Sequence, residues 1–300
     1  MDALVRLSFY AFAAASISFA GAAVCYILYA VGRIRLRRAA LATAAGSVVV
    51  TPSAQFEPAS LGIGRLGTML AWFGIAFQAI SIALRTIVAG HIPVSNMYEF
   101  SSTFILLTGL VYLLFERWYG VRQLGAIVLP VIVGMVAYVW SLPAFMREVN
   151  PLIPALQNRP LMTIHVSLAI LAYATFSVAF AAAVLYLAVR RWHFSWLPSA
   201  DLLDDLGFRA VTIGFPAMSL VLIVGSVWAY RAWGTYWQWD PKETASLFTW
   251  LIYGVYLHTR SLRGWRGNRS AWILVIGFGA VIFTYFGNYI FGGLHAYGGV

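Results

Sequence analysis

Between positions 233 and 243 the chain reads WGTYWQWDPKE, three tryptophans and a tyrosine running straight into Asp-Pro-Lys-Glu. Rings at this density suit one task above others, covering the faces of a large planar ligand. With Trp228 and Trp250, five of the chain's twelve tryptophans gather around this stretch. An interfacial belt, with each indole half in lipid and half in water, is the plainer alternative for any one of them. Haem would match both the flat surface and a supply of axial imidazoles. Of five histidines, His165 opens a long apolar run and His295 follows the last one in FGGLHAYGG. Gly292, Gly293, Gly298 and Gly299 around it would let backbone approach a flat ring, or form a loose tail. Lys242, the chain's single lysine, and Arg231 flank the aromatic stretch as candidate partners for the carboxylates of such a ligand, or as interfacial anchors. Asp240, Pro241 and Glu243 fit N-cap, N1 and N3 of a helix, so part of the motif starts a helix.

The elements that must position these residues are set by composition. Hydrophobic residues make up 61% of the 300, charged residues 10%, and mean hydropathy is +0.80, values outside the range of soluble domains. Roughly 20 apolar residues cross a bilayer, and runs of that kind occur near 7–32, 66–89, 99–116, 122–141, 161–189, 209–229, 244–260 and 271–290. The expected fold is all-α, a polytopic membrane bundle of about eight helices. The first run is too long for a cleaved signal peptide and is read as a span. The segment 39–64, rich in Ala, Ser, Gly and Pro, reads as a linker. The division expected is therefore 1–65, first span and cytoplasmic linker, and 66–300, a ligand-handling bundle with its tryptophan-rich loop at about 228–243.

Arginines fix the orientation. Arg33, Arg35, Arg37 and Arg38 follow the first span, Arg117 and Arg122 the third, Arg190 and Arg191 the fifth, and Arg260, Arg263, Arg266 and Arg269 the seventh. By the positive-inside rule these loops face the cytoplasm, so both termini, the tryptophans, His165 and His295 face outward. The net charge of +10 is topological and points to no nucleic acid. His258 lies roughly 22 Å down span seven from Glu243, near the inner boundary. An ionisable group at that depth is either functional or snorkelling beside Arg260. His193 reads as an interfacial anchor, His91 as a turn residue, and Cys25 as a small core residue with no thiol partner. Asp201, Asp204 and Asp205 are assigned no chemistry. No span holds two histidines about thirteen residues apart, which disfavours a two-haem cytochrome b. A small-solute transporter would place charge at the midplane, whereas here the charges lie at span ends.

WGTYWQWDPKETASLFTWLIYGVYLHTR resembles the tryptophan-rich WWD signature and following helix of the CcsA/ResC-type cytochrome c biogenesis proteins, within the haem-handling protein superfamily. GHIPVSNMYEF, IHVSLAILAYATF and NYIFGGLHAYG are similar to further segments of that family, so the resemblance runs from about 66 to the end. It implies system II cytochrome c maturation. In that scheme haem b is the transported substrate, exported and presented for thioether attachment to apocytochrome c Cys-x-x-Cys-His segments. It also implies a CcsB/ResB-type membrane partner, thiol-reducing proteins outside, and residence in the bacterial plasma membrane or, in a plastid, the thylakoid. By position, His165 and His295 would ligate external haem iron and His258 a transmembrane haem with a partner histidine. Trp233, Trp237, Trp239 and Asp240 would hold the macrocycle. No residue is assigned to the thioether chemistry itself. A membrane haem transporter without synthase activity and a small-solute transporter are the alternatives.

Overall fold

The computed structural model describes residues 2–44, 56–149, 151–192, 197–262 and 265–295. His193, Arg263, Gly298 and Gly299 lie outside these residues. Eight α-helices run in order: α1 Asp2–Ala44, α2 Phe56–Ala89, α3 Met97–Tyr119, α4 Gly125–Ser141, α5 Arg159–Trp192, α6 Ala200–Trp233, α7 Pro241–Arg260 and α8 Asn268–Phe291. No strand occurs among the described residues, as expected where every backbone amide must be satisfied without water. The linker read over 39–64 is shorter than its composition suggests, because helix reaches Ala44 and resumes at Phe56.

Seven of the helices are long and apolar enough to cross a membrane by length and composition. The eighth, α7, is more polar because Lys242 and Glu243 occupy its first turn and Thr249, Tyr253, Tyr256 and Thr259 its buried face. It packs against α6 and α8. The centre of the bundle is α5, which touches α3, α6 and α8 and buries a row of small residues from Ala172 to Ala183. Small side chains let helix backbones approach closely in a bilayer. Rings then fill the seams: Phe176 stacks on Tyr253 of α7 at 3.6 Å, Phe180 on Phe278 of α8 at 4.4 Å, and Phe104 of α3 meets Tyr173 edge-on. Ser101 of α3 hydrogen-bonds the Tyr285 hydroxyl of α8.

Charge is spent at the two ends. At one end Arg85 and Glu99, 4% and 2% exposed, pair at 2.8 Å. The guanidinium also donates to the carbonyls of Arg147 and Glu148, and Glu99 accepts from the amide and hydroxyl of Ser95. A buried pair adds little net stability, but with both partners bonded to further groups as well it fixes the geometry of what it joins. Here it joins α2, the turn before α3, and the segment after α4. Ser81 of α2 donates to the Ser8 carbonyl at this same end, so α1 starts where α2 finishes. At the opposite end Glu116 accepts from Tyr26, Thr68, Tyr112 and Arg122, and Arg260 pairs with Asp204 at 2.7 Å.

Candidate haem site

The end that holds Arg85 and Glu99 also contains a cavity. Its lining includes Ser95 and Asn96 before α3 with Met97 at its start, Met162 and His165 on α5, Val221, Gly225 and Trp228 on α6, Trp237 in the loop, Lys242 and Ser246 on α7, Thr284 and Tyr285 on α8, and His295 in the tail. Asn96 accepts from the Glu99 amide to cap α3, which holds the first of these segments in place.

His165 sits on α5, and its Nδ1 lies 3.1 Å from the carbonyl oxygen of Val221 on α6. A carbonyl only accepts, so Nδ1 carries the proton and Nε2 keeps its lone pair. One face of the imidazole is stacked on Trp228, with centroids 5.8 Å apart and planes 16° apart. The ring edge lies against Gly225, where an added methyl would stand 2.6 Å from Cε1. Only glycine at 225 gives the imidazole this room. Trp228 is fixed in turn by its Nε1–H, which donates to the Ala155 carbonyl at 3.1 Å.

His295 reaches the same indole from the other end of the chain, 5.7 Å from Trp228 and 4.9 Å from Trp233. Its Nδ1 lies 2.8 Å from Asp240 Oδ1, while Asp240 Oδ2 accepts the Leu294 amide at 2.6 Å. A carboxylate acceptor again puts the proton on Nδ1 and leaves Nε2 basic. Burial lowers the His295 pKa below its ordinary value, although Asp240 pulls the other way. Burial would raise the Asp240 carboxyl, but the bond from His295 and the amides of Lys242 and Leu294 outweigh it and leave the group below the usual carboxylate value. The expected capping box is present: Asp240 caps α7 and Glu243 bonds back to the Asp240 amide. One carboxylate thus starts α7 and holds the tail. Gly293, with φ 112°, permits that contact, since a side chain there would meet Pro241 Cδ at 2.9 Å.

The tryptophans separate by role. Trp237 lines the cavity, and Trp233 packs edge-on against His295 and Trp228. Trp239, with a left-handed φ of 58°, is 68% exposed and meets Trp237 edge-on. Trp250 leaves the cluster, stacking on Phe215 and donating to Ser219. Lys242 lines the cavity, whereas Arg231 is exposed and contributes nothing to the lining. His258 is exposed on α7, apart from the cavity. His91 bonds its neighbour's carbonyl in the turn after α2.

Residues 94–295 match the family model described as cytochrome c assembly protein. The chain belongs to that family. It is 34% identical over 290 residues to the cytochrome c biogenesis protein CcsA of Synechococcus elongatus, covering 79% of this chain and 88% of the relative. The CcsA of Chlamydomonas reinhardtii is 39% identical over 220 residues, covering 70% and 62%. In fold, the chain is similar to the cytochrome c haem lyase CcmF, with a TM-score of 0.57 and 20% identity over 91% of this chain and 46% of that one. Family membership and the seven apolar helices make this a multi-pass membrane protein of cytochrome c biogenesis.

Sequence reasoning missed Gly225, the Val221 carbonyl and the Ser95–Asn96 wall. Asn96 and Glu99 did carry a visible signal, a capping pair three residues apart. Gly225 carried none, since nothing local says which helix it faces.

Proposed function

We propose that this protein brings haem to the outer face of the membrane and presents it for covalent attachment to apocytochrome c. The observation that carries the reading is the convergence of His165 and His295 on one indole, each with Nδ1 directed at an oxygen, the tautomer in which Nε2 is the nitrogen able to ligate iron. Among the described residues no group of three or more His, Cys, Asp or Glu could hold a metal ion. Two imidazoles suffice for haem iron, whose four in-plane ligands come from the macrocycle. The chain's own groups then have distinct parts. Trp228, Trp233 and Trp237 exclude water and orient the imidazoles, and Lys242 offers a cation to a propionate.

Attachment adds each thiol S–H of Cys-x-x-Cys-His across a haem vinyl C=C, forming a C–S bond and leaving the proton on carbon. That step consumes no ligand of this chain, but the histidine of the segment must take an axial position, so one imidazole here has to leave. Neutral imidazoles bind reversibly enough for that exchange. A CcsB/ResB-type partner supplies the remainder of the synthase, and outer-face thiol reductants keep the apocytochrome cysteines reduced. His258, exposed on α7, takes a transmembrane haem together with a partner histidine. Haem b is the substrate in transit.

The test is an absorbance spectrum of the purified protein with its partner. A bound-haem Soret band is expected, with an altered reduced spectrum in His165→Ala and in His295→Ala. Wild-type haem content and spectrum in both variants would leave the aromatic loop as an interfacial belt.

A further inference from the structure

We infer that the two histidines are mounted unequally: His295 is the imidazole surrendered to the apocytochrome, His165 stays on the iron, and Asp240 is the positioning residue that sets how readily His295 leaves. This rests on the haem-site reading above.

His165 lies six residues into α5, roughly 9 Å below its outer end. Trp228 covers one ring face, Gly225 of α6 stands against the ring edge, and Nδ1 is tied to the Val221 carbonyl. Withdrawing it means disturbing Trp228, itself bonded to Ala155, or separating α5 from α6. His295 instead sits on non-helical residues 292–295 beyond α8. Gly292 and Gly293 precede it with φ of 67° and 112°, and glycine moves between backbone regions without steric penalty. Asp240 holds this tail through two contacts, taking the Leu294 amide and the imidazole, and the ring also packs on Trp228 and Trp233. Release parts the imidazole from Asp240 and from the edges of Trp228 and Trp233 and turns the backbone at a glycine pair, a hinge beyond the end of α8. An incoming segment approaches from outside, the side on which the tail lies. One neutral nitrogen leaves iron as another binds, so the exchange needs no proton and no electron. Asp240 stays in place as the cap of α7 and can receive the tail again.

Carbon monoxide serves as the probe, added to the reduced, haem-loaded protein in complex with its membrane partner. It occupies the position of whichever histidine dissociates. The wild-type carbonyl complex should match that of His295→Gly in absorbance and in C–O stretching frequency, because both retain His165 opposite the gas. A wild-type complex that differs from His295→Gly, or that matches His165→Gly, would overturn the inference. So would a wild-type haem that never takes carbon monoxide.

The role of Asp240 is read from rates. Asp240→Asn keeps an N-cap but replaces one accepting oxygen by an NH2, and Gly293→Ala drives a methyl into Asp240 and Pro241. Both should speed carbon monoxide binding by roughly tenfold or more, the equivalent of one hydrogen bond to a charged group. Unchanged rates in both would remove Asp240 from the mechanism. Absence of a haem band in every protein, wild type included, would sink the site reading itself and this inference with it.

Discussion

Gly225→Ala is the sharpest probe of how the site is built. The new methyl would stand 2.6 Å from His165 Cε1 and 3.0 Å from Nδ1, where ordinary contact begins at 3.4 Å. The imidazole must retreat by most of an ångström, or α6 must move off α5. Overpacking of this size costs about 1–3 kcal/mol. If the ring yields, that strain falls on the ligand geometry, and haem affinity drops by about 5- to 150-fold. The fold itself suffers less, because alanine recovers about 1 kcal/mol of helix propensity over glycine. The matched control is Gly279→Ala in α8, where an added methyl meets nothing within 4 Å. Both variants would be purified in detergent, titrated with haemin, and compared for haem per folded protein and for the reduced spectrum. Gly279→Ala should follow wild type, while Gly225→Ala should bind weakly with a shifted spectrum. Equal affinity and equal spectra in the two would refute the claim that His165 is held against the α6 backbone.

Trp228→Phe should reduce haem retention well beyond Trp239→Phe. The first removes a buried donor from the Ala155 carbonyl, about 0.5–1.5 kcal/mol net, and the second alters a ring that is 68% exposed; equal haem content in both would contradict this. Arg85→Ala should lower the thermal midpoint sharply, since it strands a buried Glu99 at about 3–5 kcal/mol. Arg85→Lys should rescue it only in part, because lysine lacks the fork that reaches both carbonyls. In a Cys25→Ser background, Ser141→Cys should react with an impermeant thiol reagent in intact cells and Ser261→Cys should not, both positions being exposed; the reverse pattern would put the aromatic loop inside and end the export argument.

Local chemistry is what a sequence records, and the parts of this protein that depend on it were legible. Apolar runs gave the helices because each must satisfy its own backbone in lipid, and Asp240, Pro241 and Glu243 announced the start of α7 because a helix N-terminus leaves its first amides unpaired. His165, His295 and the tryptophan-rich loop could be singled out by residue type alone. Their joining could not, since 130 residues separate the two histidines and only the packing of α5, α6 and α8 brings both rings to Trp228. Composition also could not divide the tryptophans, because an indole's role depends on which neighbours bury it: Trp228 and Trp237 turned inward, Trp239 outward, and Trp250 toward Ser219. The double duty of Asp240 is tertiary for the same reason. The cap it forms lies within four residues, while the tail it holds comes from the far end of the chain.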